Sequence, residues 1–247
     1  MGFKTMANFM ESVKNSGLEG FLIYFQLKMG IVKNISLSEL AYPVHLRPNT
    51  SDSSTFKQIF IRREYDIQVG FKPKVIFDIG ANIGLAAIYF SNRFSEAKII
   101  SIEPASDNFE MMMKNIAPYK NINALHSAIW NEDKNLKVVD KGLGAWGYTV
   151  EEATLEDSDY FSAFSIKSIM EKFNVDKIDI LKMDIEGSEK IVFSQNYEYW
   201  LPRIRVLVVD ILDWINPGCS DMVLNALSTY NSLEKGGRKS YFINQDS

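Results

Sequence analysis

From Lys74 onward the chain alternates short apolar runs with helical stretches, and that alternation narrows the fold more than any other property of the sequence. Runs such as Val75-Ile76-Phe77 and Ile204-Arg205-Val206-Leu207-Val208-Val209 are rich in β-branched residues and nearly continuous in apolar character. Strands covered on both faces read this way, whereas a strand with one wet face alternates strictly. Strands are expected at 75–79, 98–103, 122–126, 178–184 and 204–211, with helices at 84–93, 106–117, 165–173, 188–194 and 219–229. The order predicts an α/β fold with a doubly wound, mainly parallel sheet. Residues 135–139 and 147–150 read as a two-stranded insertion, and Ser232 to Ile243, around Gly236-Gly237, as a hairpin.

Upstream, residues 3–29 carry two short amphipathic patterns around Gly17, one through Phe3, Met6, Phe9, Met10 and Val13, the other through Leu18, Phe21, Leu22 and Phe25. They read as a packing appendage or lid. Pro43 and Pro48 flank a short extended piece, Val44 to Arg47, after which Asp52 or Ser53 is placed to cap a helix running to about Phe60. The division this predicts is an N-terminal helical extension with a lead-in strand over 1–48 and the main domain over 49–247.

With 247 residues, 46% of them hydrophobic, the chain can build a full core without disulfides, and its lone Cys219 fits a reducing compartment. A formal net charge of −4 argues against a nucleic-acid partner, which calls for a basic face. The apolar run Gly20 to Leu27 is far short of the roughly 20 residues of a membrane span, so none is expected. Residues 1–6 show neither a secretory pattern nor the Ser or Thr of a myristoylation signal, and the expected location is cytoplasmic.

The expected first strand runs into Asp78-Ile79-Gly80-Ala81-Asn82-Ile83-Gly84, a glycine-spaced turn opening a helix, where backbone N–H groups can approach a ligand closely. The spacing departs from the dinucleotide pattern Gly-x-Gly-x-x-Gly: an acid precedes the first glycine, and Asn82 stands where a pyrophosphate needs a bare backbone. A cationic ligand with an amino-acid tail suits Asp78 better, and S-adenosylmethionine (SAM) is such a ligand. The next strand ends at Glu103, about twenty residues beyond the turn, where an acid can accept hydrogen bonds from both ribose hydroxyls. The third strand leads to Ser127 and Ala128, expected at the adenine edge. Asp78, Gly80, Asn82, Gly84, Glu103, Ser127 and Ala128 form the expected cofactor site.

These motifs resemble the FkbM family of SAM-dependent methyltransferases. The resemblance runs from Leu46-Arg47-Pro48-Asn49-Thr50-Ser51-Asp52 and Arg63-Glu64-Tyr65, through Asp78 to Gly84 and Ile102-Glu103-Pro104, to Leu181-Lys182-Met183-Asp184-Ile185-Glu186-Gly187 and Pro217-Gly218-Cys219. It implies a class I methyltransferase sheet of seven strands and methyl transfer to a hydroxyl of a small molecule or glycan, such as a sugar or polyketide-like acceptor. Two positions depart from the pattern. Ser127 stands where many class I enzymes carry an adenine-contacting acid, and Leu212 where the family's Glu-x-His-Asp pattern places a histidine.

Around Asp179-Ile180-Leu181-Lys182-Met183-Asp184-Ile185-Glu186-Gly187, a period of two sets Lys182 and Asp184 on one side, with Glu186 following before a glycine turn. Asp184, Lys182 and Glu186 are the expected catalytic group: a carboxylate removes the acceptor's hydroxyl proton, and a buried lysine pairs with Asp184 or another acid or reaches the site. The two carboxylates also suit Mg²⁺, although no third ligand lies within sequence reach. His45 and His126 read as scaffold. Trp146 and Tyr148, in a glycine-rich stretch, are expected to face the acceptor, because such rings stack on sugars. Two rival readings remain: a SAM-binding partner or sensor without turnover, kept open by Leu212, and a nicotinamide-dependent oxidoreductase, weakened by Asp78.

Overall fold

A computed structural model describes residues 17–29, 34–140, 148–154, 160–234 and 239–244. The first of the two expected N-terminal helices lies outside these residues; the second is α1, 17–28. Two short strands, β1 (Asn34–Ile35) and β2 (Val44–His45), pair antiparallel. Helix α2 (Asp52–Phe56) then passes directly into a π-helical turn over Lys57–Ile61, in which the Arg62 amide reaches back to the carbonyl of Lys57. The expected continuous α-helix to Phe60 is thus interrupted. Ser51, not Asp52 or Ser53, is the N-cap residue. The Asp52 carboxylate is fully buried and accepts from the Arg47 amide at 2.8 Å and from its guanidinium at 2.9 and 3.0 Å.

The main domain follows the expected alternation: β3 (Val75–Ile79), α3 (Leu85–Arg93), β4 (Lys98–Glu103), α4 (Ser106–Ile116) and β5 (Ile122–His126). An excursion comes next, comprising β6 (Ala128–Trp130), β7 (Lys134–Asp140), β8 (Tyr148–Glu152) and β9 (Phe161–Ser165). The chain then returns through α5 (Ile166–Lys172), β10 (Ile178–Met183), α6 (Glu189–Val192), α7 (Tyr197–Trp200), β11 (Ile204–Asp210) and α8 (Cys219–Ala226) to the hairpin β12 (Tyr230–Glu234) and β13 (Lys239–Asn244). Helix α6 is a single turn, shorter than the expected 188–194, and α8 stops at Ala226 because the chain turns at once into β12.

Seven strands form one sheet in the order β12-β13-β11-β10-β3-β4-β5, parallel from β11 to β5 and antiparallel where β13 joins β11 and β12. The seven strands and their mainly parallel order are those the resemblance implies. Strand order reverses between β3 and β10, and in open α/β sheets ligands bind outside the carboxyl ends at such a point. The expected two-stranded insertion, β7 with β8, belongs to a larger four-stranded sheet in the order β6-β9-β7-β8.

Alternate side chains of the central strands feed two cores. One face buries Ile76, Ile99, Ile180, Val206 and Val208 against α3, the π-helical turn and the N-terminal segment. Ile23, Leu27, Ile35, Leu37, Val44 and Leu46 belong to that same cluster, so the residues before the expected boundary at 48 pack in one core with those after it. The opposite face buries Phe77, Ile79, Ile100, Ile102, Leu181, Met183, Leu207 and Val209 against α5, α6 and α8. At about 1.5–3 kcal/mol for each fully buried side chain, these two layers hold the carboxyl ends of β3, β4, β10 and β11 in fixed register. Among the described residues, no helix is long and apolar enough to cross a membrane.

Candidate active site

Those carboxyl ends open into a cavity of about 330 Å³. Its inner wall is the turn after β3. The Gly80 and Ala81 amides both donate to the Ile102 carbonyl at 3.0 Å, while the Asp184 amide donates to the Ile79 carbonyl at 3.1 Å, so the turn is tied to both neighbouring strands. Gly80 has φ +72°, and a Cβ there would run into the Asp184 carbonyl; Gly84, at φ +83°, caps α3 against Met112. Only glycine meets both demands at these two positions. Asn82 takes a left-handed φ of 51°, which its short polar side chain tolerates, and its buried Oδ1 has no hydrogen-bond partner among the described residues.

Glu103 ends β4 at the cavity wall, with its carboxylate accepting from the Asn82 amide at 2.8 Å, the Ala105 amide at 3.0 Å and the Asn108 side chain at 3.3 Å. Burial raises its pKa above the ordinary carboxylate value, against the pull of those donors and of Lys182. Ser127 and Ala128 line the far end. The Ser127 hydroxyl donates to the Ser162 carbonyl at 2.6 Å, so this side chain ties β9 to the wall.

Asp78 and Lys182 sit beneath the turn. Parallel pairing sets Lys182 beside Asp78, and the ammonium lies 3.0 Å from the carboxylate, with side-chain exposures of 4% and 0%. The same Nζ donates to the Gly80 carbonyl at 2.6 Å and the Ile79 carbonyl at 3.1 Å. The lysine's acid is therefore Asp78 rather than Asp184, because β10 pairs in register with β3. Asp78 itself is not among the residues of the cavity wall; its carboxylate faces the lysine.

Asp184 and Glu186 follow β10 and line the cavity. Asp210, at the end of β11, lines it as well, and so does Glu64. Lys182 is the single cation among the described residues of the wall, against the carboxylates of Glu64, Glu103, Asp184, Glu186 and Asp210. This excess of negative charge suits a cationic ligand and opposes a pyrophosphate. Among the described residues no cluster of three or more His, Cys, Asp or Glu side chains is arranged to hold a metal ion. His45 accompanies Asn34 at 2.6 Å and His126 stacks on Phe109 with ring centroids 4.6 Å apart, both away from the wall. Trp146 lies outside the described residues; Tyr148 opens β8, and its side chain lies outside them too.

Sequence reasoning missed three parts of the site. Asp210 carried a usable signal, an acid at the end of an apolar strand. The outer wall is built from Ser54, Thr55, Gln58 and Ile59 of α2 and the π-helical turn, which no periodicity separates from an ordinary helix. Glu189 of α6 is fully buried behind the loop that carries Asp184 and Glu186.

The chain is 23% identical over 210 residues to Methyltransferase 1 of Beauveria bassiana (strain ARSEF 2860), covering 75% of this chain and 84% of that protein. It is 26% identical over 195 residues to Methyltransferase sdnD of Sordaria araneosa, covering 63% and 73%. Among solved structures, methyltransferase FkbM from Methylobacillus flagellatus KT aligns with a TM-score of 0.49 and 13% identity over 95% of this chain, which spans 60% of that structure's chain. Residues 78–224, more than half of the chain and the stretch from the ion-paired Asp78 into α8, match the methyltransferase FkbM domain, and the chain belongs to that family.

Proposed function

We propose that this methyltransferase takes SAM as methyl donor and transfers the methyl group to a hydroxyl of a small-molecule or glycan acceptor. The observation that carries the reading is the wall itself: a glycine turn at the sheet's switch point with carboxylates around it and one cation, already engaged by Asp78. The residues present fit the cofactor. Gly80 leaves the turn bare, Asn82 Oδ1 is buried without a partner among the described residues, and Glu103 stands at the end of β4, where its carboxylate can accept from a ribose. When bound, SAM supplies a methyl group on a positively charged sulfur, open to attack by an oxygen.

The chain's own task is then to align, to dry and to take a proton. Ser54, Thr55 and Gln58 supply hydrogen-bonding groups on the acceptor side, and the buried Ile59 and Tyr65 beside them exclude water. Asp184, at the carboxyl end of β10, is the base assigned to the hydroxyl proton, with Glu186 alongside; an alcohol is a weak acid, so its proton must leave as the oxygen attacks. Trp146 and Tyr148 complete the proposal as acceptor contacts, while among the described residues Mg²⁺ has no ligand cluster to support it.

A thermal-shift comparison tests the donor. SAM or S-adenosylhomocysteine at a hundred times its Kd should add about 2.7 kcal/mol, raising Tm by about 5–11 °C, while NAD leaves it unchanged. Equal stabilisation by NAD would overturn the assignment. Labelled-methyl transfer to a panel of hydroxyl and amine acceptors tests the class, and transfer confined to amines would sink the hydroxyl reading.

A further inference from the structure

The loop from Asp184 to Gly187 has an unusual backbone. Glu186 sits at φ 53° and Gly187 at φ 92°, two consecutive residues in the left-handed region, and a Cβ at Gly187 would come within 2.7 Å of the Ile215 side chain. Such a conformation persists only where the surroundings hold it. The holder here is Glu189. Its carboxylate, buried at the start of α6, folds back on the loop: Oε1 accepts from the Ile185 amide at 2.9 Å and Oε2 from the Gly187 amide at 2.8 Å. The two gripped amides flank Glu186 and follow Asp184, so a single carboxylate sets the path of both cavity-lining acids.

We infer that Glu189 is a positioning residue whose ionised carboxylate fixes the Asp184–Gly187 loop in its working shape, and that protonation of Glu189 releases one side of the loop. Two N–H donors need two acceptor oxygens. A protonated carboxyl presents a hydrogen on one of them, which meets an N–H head on, and that bond is lost. Burial pushes the Glu189 carboxyl up to about 7, with the Ile185 and Gly187 amides and its own amide pulling down and the Asp184 charge adding to the rise. Among the described residues, the titratable groups facing it are Asp184 and Cys219. Asp184 comes from the loop. Cys219 comes from α8, its thiol pushed up to about 11 by burial and by the Glu189 charge and hence neutral across the range that matters. β6, also packed on α6, contributes Ala128, Ile129 and Trp130, none of which titrates. Loop order, and with it turnover, therefore increases as pH rises through about 7.

The test has two arms. In amide NMR of the full chain between about pH 5.5 and 8.5, the Ile185 and Gly187 resonances should move together with one midpoint near 7. They should lose that titration in Glu189→Gln, a neutral isostere that keeps the volume. In labelled-methyl assays with an acceptor that the wild type accepts, kcat should climb through the same midpoint. Glu189→Gln should hold kcat about tenfold lower and flat with pH, with SAM affinity within about threefold of wild type. Amides that stay still in the wild type, or a Glu189→Gln enzyme with the wild-type rate and pH profile, would overturn the assignment. The kinetic arm rests on the methyl-transfer reading above. The wild-type titration needs neither turnover nor a variant, so it decides the role of Glu189 separately.

Discussion

Removing the ammonium of Lys182 while keeping its length is the sharpest probe of what lies under the cofactor turn. Lys182→Met leaves the Asp78 carboxylate at 0% exposure without its partner at 3.0 Å, and takes the donor from the Gly80 and Ile79 carbonyls at 2.6 and 3.1 Å. At these exposures solvent screens little, and breaking a buried pair from one side costs about 3–5 kcal/mol because a charge is left uncompensated. For a chain of this size, at about 2–4 °C per kcal/mol, the expected fall in Tm is about 6–20 °C by calorimetry or circular dichroism at neutral pH. The mechanism makes a second demand. In Asp78→Leu/Lys182→Met both charges are gone, so the double variant should melt well above Lys182→Met alone, a non-additivity that a double-mutant cycle reads directly. If Lys182→Met melts within about 2 °C of wild type yet loses turnover, the ammonium acts on substrate and the structural argument is refuted; strictly additive single and double variants would refute it too.

Glu103→Ala should weaken SAM binding in calorimetry by about 1.5–3 kcal/mol, and because the Asn82 and Ala105 amides lose their acceptor it should also lower Tm; unchanged affinity removes Glu103 from the ribose. Asp184→Asn should cut turnover by about 10²–10⁴ with SAM affinity within about tenfold. Since the lysine pairs with Asp78, this variant should melt close to wild type, and a folded, SAM-binding Asp184→Asn enzyme at full rate would end its role as base.

The residues that make strands of the main sheet announce themselves. Val75 to Ile79 and Lys98 to Glu103 are bounded in the structure where apolar runs meet turn residues, because strands buried on both faces need nearly unbroken apolar sequence. The glycine turn was equally legible, since positive φ leaves few alternatives to glycine. What stayed hidden depends on register and depth. The acid that pairs with Lys182 is chosen by which residue of β3 lies beside it, and linear spacing cannot supply that. Ala128–Trp130 is too short, and Phe161-Ser162-Ala163-Phe164-Ser165 too mixed, to stand out as strands, so the sequence shows only β7 and β8 of the second sheet. Glu189, one acid among 31, looks like any solvated side chain until its burial is known.

The π-helical turn at Lys57–Ile61 carries a consequence at the level of the gene. A π turn holds one residue more than the α-helical path between the same ends, so it is the imprint that a single inserted codon leaves in a helix. Deleting one codon there would let α2 run on with ordinary i to i−4 bonds and rotate everything downstream by about 100° relative to what precedes it. Phe60 and Ile61 are anchored in the core, so the rotation would fall on the cavity side, turning Thr55 and Gln58 off the wall. The wall proposed to face the acceptor is thereby exposed to a change of reading length as well as of reading content: a three-base slip can redraw it while every residue of the glycine turn stays as it was.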